Sequence, residues 1–185
     1  MSLEKSDQIL KAIEKASERE YLPIIGPERG KILAEIVRKL NPKRVLEVGS
    51  LVGYSTILMA RELESDAEIF SIEIDEDEAE IAKRNIHEAG VKPKVHVLVG
   101  DASDVIPKLS GEFDLVFLDA DKHECLHQLQ IVEGRLHKGS TVIADNAGTS
   151  AYSMRNYLDY VTKSGKYESH YVPAGGDGLE VSTKL

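Results

Sequence analysis

From residue 43 onward the sequence alternates short apolar runs with helix-patterned stretches, and this alternation constrains the fold more than any other feature. RVLEV (44–48), EIFSIEI (68–74), KVHVLV (94–99), FDLVFLD (113–119) and STVIAD (140–145) read as strands. Helices are predicted after them, up to about residue 63, over 76–89 closed by Gly90, over 102–109, over 122–136 and over 151–164. Strands separated by helices imply right-handed crossovers and a parallel sheet covered on both faces. Two further strand candidates, YESHYV (167–172) and GLEVSTK (178–184), lie too close together for a helix between them. They are expected to pair antiparallel, which gives an α/β fold with a seven-stranded mixed sheet.

Two helical patterns precede this alternation. Residues 3–20 put Leu3, Ile9, Leu10, Ile13 and Ala16 mostly on one face. Pro23, Gly26 and Pro27 then break the chain, and a second helix over about 28–40 ends at Asn41-Pro42. The expectation is one domain over residues 1–185, with residues 1–40 as N-terminal helices capping the active site.

Charge and cysteine content narrow the function classes. With 23 Lys+Arg against 32 Asp+Glu, the formal net charge is -9. That disfavours non-specific nucleic-acid binding, which needs a basic footprint. The single cysteine, Cys125, excludes disulfides within the chain and a multi-cysteine zinc cage. No apolar run reaches the roughly 18 residues of a membrane span, and the N-terminus lacks the apolar core of a signal peptide. A cytoplasmic location is expected.

In an open α/β sheet, ligands sit beyond the C-terminal strand ends, near the switch in strand order. The first strand runs into Gly49-Ser50-Leu51-Val52-Gly53, a turn whose glycines permit close backbone approach. It is neither GxGxxG nor a P-loop, which disfavours a nicotinamide oxidoreductase. Glu73, at the end of the second strand, stands about where an acid meets a ribose diol. Asp101 follows the third strand and can reach an adenine edge. Glycine turn, ribose acid and third-strand aspartate together suggest S-adenosylmethionine (SAM). An ordinary strand-to-helix turn and exposed strand-end carboxylates are the plainer alternatives.

The fourth strand ends at Asp119 and the fifth at Asp145-Asn146. Two carboxylates and a carboxamide form a hard oxygen set suited to Mg²⁺, Ca²⁺ or Mn²⁺. Helix capping by Asp and Asn is the alternative. Lys122, three residues past Asp119, is a candidate general base: a neighbouring cation and partial burial would lower its pKa. A solvated lysine at a helix start is the competing reading. His123-Glu124-Cys125-Leu126-His127 matches HExxH but lacks an extended third-ligand signature, so zinc peptidase chemistry is disfavoured.

With these residues in place, the chain resembles the metal-dependent, SAM-dependent O-methyltransferases, the group containing catechol and caffeoyl-CoA O-methyltransferases. The resemblance runs from about Tyr21 to Leu185 through VLEVGSLVGYST, SIEIDEDEAEIAKRNIHEAGV, GDASDVIPKL, DLVFLDADK, VIADNAG and GGDGLEV. It implies a Rossmann-like class I methyltransferase fold, a small hydroxylated acceptor of catechol type and a homodimer. It assigns Glu47, Gly49 and Ser55 to the methionine part of SAM, and Ile25 to the cofactor entrance. Glu73 goes to the ribose, and Ile74, Asp101 and Ala102 to the adenine. Asp119, Asp145 and Asn146 become metal ligands, Lys122 the base, and Glu180 a contact to the acceptor's second hydroxyl. Asp119 and Asn146 count with Lys122 as the catalytic set; Asp119 also borders the cofactor, and Lys122 and Asn146 the acceptor.

The chain departs from the catechol branch at Ala102, where a serine is usual. Ala120-Asp121 replaces an aromatic-containing pair, and the chain has no tryptophan. Two alternatives stay open. One is methylation of a tRNA nucleoside hydroxyl of hydroxyuridine type, with Arg29, Lys31, Arg38, Lys39, Lys43 and Arg44 as a basic face. The other is SAM binding without catalysis, against which the intact Asp119/Lys122/Asp145/Asn146 set argues.

Overall fold

A computed structural model describes residues 2–185, with side chains from Glu4 onward, so the side chain of Leu3 lies outside the described residues. Strands β1 (Arg44–Val48), β2 (Glu68–Glu73), β3 (Lys94–Val99), β4 (Phe113–Leu118), β5 (Leu136–Ala144), β6 (Tyr167–Ala174) and β7 (Asp177–Lys184) form one sheet. Its order is β3-β2-β1-β4-β5-β7-β6. β1 to β5 are parallel; β7 pairs antiparallel with β5 and with β6. The expected seven-stranded mixed sheet is therefore observed, and its switch point lies between β1 and β4.

Alternation along the strands sorts side chains into two cores. Val45, Ile69, Leu115, Phe117, Ile143 and Val181 face helices α1 (Ser2–Ser17), α2 (Gly26–Leu40), α3 (Tyr54–Glu62) and α4 (Glu76–Ala89). Leu46, Val48, Ile72, Val116, Leu118 and Val142 face α5 (Ala102–Val105), α6 (Cys125–Val132) and α7 (Arg155–Lys163). Near-continuous apolar runs on β1 and β4 follow from burial on both faces. The N-terminal helices are thus part of the layer: Leu10 and Ile13 of α1 and Leu33 and Val37 of α2 are buried in the first core. Among the described residues no helix is long and apolar enough to cross a membrane.

Local chemistry sets the element ends. Asp75 caps α4 by accepting from Glu78 N–H at 3.0 Å, and Gly90 closes that helix. β6 and β7 extend to a two-residue turn at Gly175-Gly176, whose φ values of 59° and 78° suit a tight hairpin.

Three element starts shift by three residues or more from the sequence expectation. α6 starts at Cys125 rather than at 122, because Asp121 holds His123 N–H at 2.9 Å in a turn. β5 starts at Leu136 rather than at 140. Leu136 pairs with Phe113, and Ser140 Oγ closes the intervening irregularity by accepting from His137 N–H and donating to Phe113 O. α7 starts at Arg155 rather than at 151, after turns that follow Asn146.

Candidate active site

The C-terminal ends of β1, β2, β4 and β5 open onto two adjoining cavities of about 340 and 240 Å³. Both are bordered by Gly49, Glu73, Ile74, Ala120 and Asp121. The larger reaches Ile25, Ser50, Ser55, Asp119, Lys122 and Asn146; the smaller reaches Asp101, Ala102 and Gln128. The position fits the rule for open α/β sheets.

The glycine turn is built around contact with β4. Gly49 has φ +94°, and a Cβ there would stand 2.5 Å from the Asp119 carbonyl oxygen. Leu51 also takes a positive φ, 47°, unusual for a branched residue, and its N–H donates to Glu73 Oε2 at 2.6 Å. Glu73 Oε1 accepts from the N–H groups of Ile74 and Asp75 at 2.9 and 3.1 Å. The backbone therefore fixes this carboxylate at the junction of the two cavities. Ser50, for which the sequence offers no specific signal, lines the larger cavity; its buried hydroxyl has no hydrogen-bond partner among the described residues.

Glu47 does not line either cavity. It is fully buried on β1, where Ser55 Oγ donates to Oε1 at 2.5 Å and Thr56 and Ser71 donate to Oε2 at 2.5 and 2.6 Å. Burial raises its pKa to about 7, against the lowering effect of the three hydroxyls. Glu47 thus holds the start of α3 from below, behind the turn that borders the larger cavity. Asp101 caps α5 through Ser103 N–H at 2.7 Å and lies on the rim of the smaller cavity, as do Ala102 and Ile74.

Asp119 and Asp145 continue the parity of Phe117 and Ile143, so both carboxylates turn toward α2. Lys122 Nζ donates to Asp119 Oδ1 at 2.8 Å. Burial pushes both carboxyls up, and the charge of Asp119 pushes Asp145 further, to about 7. Lys122 departs from the sequence expectation. Burial pulls its pKa down, but pairing with Asp119 more than offsets this and leaves it above the usual lysine value. Asp145 is almost wholly enclosed, and Arg29 Nε of α2 lies 2.8 Å from its Oδ1.

Asn146 sits at φ 60°, and its Nδ2 donates to Asp177 Oδ2 at 2.9 Å. Asp177, absent from the sequence-derived site, also accepts from the N–H groups of Gly148 and Thr149 at 2.9 Å each. These bonds hold its pKa well below the usual range, although burial alone would raise it. Its signal in the sequence was parity: Asp177 lies two residues before buried Leu179 on β7.

Three further placements follow from the sheet and helix positions. Glu180 lies between Leu179 and Val181 and so faces the opposite side of the sheet from Asp145; buried there, it accepts from Ser169 Oγ at 2.5 Å and lines neither cavity. Of the six residues of the basic face, Arg29 turns inward, while Arg38, Lys43 and Arg44 pair with Glu62, Asp66 and Glu68. His123 stands in the turn before α6, so the two histidines of the HExxH match do not share one helix.

Among the described residues no three His, Cys, Asp or Glu side chains gather as a metal-ligand group. A cation here would rely on two carboxylates and a carboxamide. Three features fit a hard cation: two apposed carboxylates, Asp145 buried and Asp119 largely so; an Asp145 Oδ1 that meets Arg29 without an aligned hydrogen bond among the described residues; and an Asn146 amide nitrogen tied to Asp177, which turns its carbonyl oxygen the other way.

Comparison with known proteins agrees with this architecture. A family model described as O-methyltransferase matches residues 1–153. Catechol O-methyltransferase B of Danio rerio is 38% identical over 180 residues, covering 90% of this chain and 67% of the relative. Catechol O-methyltransferase of Mycobacterium tuberculosis is 36% identical over 143 residues, covering 76% and 65%. The chain thus spans about two thirds of the length of these curated relatives. The O-methyltransferase TomG from Streptomyces achromogenes, solved in complex with SAM, superposes with a TM-score of 0.85 at 26% identity, over 96% of this chain and 89% of that one. By sequence and by fold, the chain belongs to the O-methyltransferase family.

Proposed function

We propose that the protein transfers the methyl group of SAM to one hydroxyl of a small vicinal diol of catechol type, with a divalent cation held by Asp119, Asp145 and Asn146. The observation that carries this reading is the pairing of Lys122 with Asp119 in the same cavity as Gly49, Ser50 and Glu73. One trough thus offers a ribose acid at one end and a proton-handling, cation-holding set at the other.

Each residue then has a physical task. Glu73, already fixed by three backbone N–H groups, accepts from ribose hydroxyls. Asp101 and Ala102 border the adenine with Ile74 beside it, and Ile25 lines the cofactor entrance at the larger cavity. Gly49 and Ser50 border the methionine part, with the free Ser50 hydroxyl available to a charged group there. A divalent cation, when bound, lowers the pKa of a neighbouring hydroxyl. Lys122 takes the acceptor's proton, and Asn146 fixes the acceptor beside it. Alignment of donor and acceptor supplies most of the rate, because charge disappears as the methyl group moves.

The test is methyl transfer from SAM to matched acceptors, namely catechol, phenol and resorcinol, with Mg²⁺ and with EDTA. Catechol alone should turn over, and only with the metal. Equal turnover of phenol, or undiminished turnover in EDTA, would overturn the vicinal-diol and metal reading.

A further inference from the structure

Arg29 has no part in the function proposed above, yet it is the cation nearest Asp145. It stands in the first turn of α2 with its side chain 17% exposed, its Nε 2.8 Å from Asp145 Oδ1 and its Nη1 3.8 Å from Asp177 Oδ2. The contact is unlike a structural arginine–carboxylate clamp, which is bidentate and spends the lone pairs of the acid. Here neither Arg29 Nε nor Asp145 Oδ1 makes an aligned hydrogen bond, although both atoms are buried. What the guanidinium supplies to Asp145 is chiefly charge at close range.

We propose that Arg29 is a positioning residue of the acidic centre: a permanent counter-cation that steadies Asp145 and tempers the centre's affinity for a divalent ion. The inference rests on the metal reading above. With all three carboxylates ionised, as a bound divalent ion requires, Asp119, Asp145 and Asp177 face Lys122 and Arg29 with one negative charge in excess. A divalent ion turns that into one positive charge, which an ionised acceptor hydroxyl neutralises. Without Arg29 the ion would bind more tightly, but no positive charge would remain to favour the ionised acceptor. Arginine suits the task because it stays protonated at any working pH.

The measurement is Mn²⁺ binding followed by electron paramagnetic resonance, without SAM or acceptor, on the wild type, Arg29→Gln, Arg29→Met and Arg29→Lys. A unit charge at this range moves a carboxylate's proton affinity by about 1–3 pKa units, so Mn²⁺ should bind roughly tenfold more tightly to the Gln and Met variants. Arg29→Lys, which keeps the charge, should stay near wild type. With catechol and saturating Mg²⁺, the rise of kcat with pH should move upward in the neutral variants and not in Arg29→Lys. Unchanged or weaker Mn²⁺ binding in a folded neutral variant overturns the counter-cation role and makes Arg29 a scaffold residue. Absence of Mn²⁺ binding in the wild type would instead bring down the metal reading itself, a separate outcome.

Discussion

Asn146 on the β5 side and Asp177 at the start of β7 are joined through Nδ2 and Oδ2 at 2.9 Å, and this bond decides which end of the Asn146 carboxamide faces the cavity. A planar amide whose nitrogen is committed on one side presents its oxygen on the other. Asp177 thereby orients a site residue it does not accompany in sequence, and it pins the left-handed turn on which that residue stands.

Asp177→Ala should therefore affect both stability and the site. It strips partners from Asn146, Gly148, Thr149 and Gly178 at once. A loss of about 3–5 kcal/mol is expected, the scale for breaking a buried charged network. Because folding depresses the pKa of Asp177, its contribution is present above the unfolded value near pH 3.9 and is lost as the pH falls toward the folded value. Urea melts at pH 7 and pH 3 should show the gap between wild type and variant shrinking in acid. A gap of the same size at both pH values counts against the assignment.

Glu47 has the opposite sign. Its folded pKa of about 7 lies above the unfolded value near 4.3, so the folded state holds the proton between the two. Stability is then greatest below the unfolded value and falls as the pH rises through about 7. Glu47→Gln cannot ionise and should escape this fall. Relative to wild type it should gain stability between pH 5 and pH 8, by about 3 kcal/mol at most. Asp145 contributes a slope of the same sign, but to both proteins. A difference that does not move with pH would show that Glu47 is ionised in the fold throughout.

Glu73 should govern cofactor affinity. Its three backbone bonds fix the carboxylate before any ligand arrives, so little ordering is left to oppose binding. Glu73→Ala is expected to weaken SAM binding by roughly 1.5–3 kcal/mol, the range for hydrogen bonds to a charged group. Calorimetry returning wild-type affinity sinks the ribose assignment.

Strand positions and the glycine turn were legible because burial on both sheet faces writes nearly continuous apolar runs, and the turn needs residues that accept positive φ. Glu73, Asp101, Asp119 and Asn146 were legible because strand ends meet at the switch point whatever the side-chain detail. Arg29 and Asp177 were not, since charged residues far apart in sequence advertise no partner. Both nevertheless carried a local signal. Arg29 lies four residues before buried Leu33 and eight before buried Val37, which puts it on the inward stripe of α2. Glu180 carries the same kind of signal: its parity with Ser182, against Leu179 and Val181, turns it to the opposite face of the sheet from Asp145. The late start of α6 was hidden because an aspartate-capped turn and a first helical turn share the same residue types.

Lys122 bears the most demanding prediction. Its Nζ is held 2.8 Å from Asp119 Oδ1, and this pairing keeps it protonated despite burial, so it cannot take a proton while Asp119 stays free to hold it. Proton acceptance therefore requires another positive charge to draw on Asp119 first, and activity should depend steeply on divalent ion concentration as well as on pH. Lys122→Ala should leave SAM affinity nearly unchanged, because the side chain is committed to Asp119. It should lower kcat by about 10²–10⁴, the usual worth of a general base. Lys122→Arg should not restore the rate, since a guanidinium stays protonated. The pH–rate profile should rise through a value shared by Lys122 and the acceptor hydroxyl, which belongs to the coupled pair rather than to either group. Wild-type kcat in Lys122→Ala at saturating acceptor would mean that the hydroxyl loses its proton directly to solvent. Lys122 would then serve only to neutralise Asp119, and Lys122→Arg would be as active as the wild type.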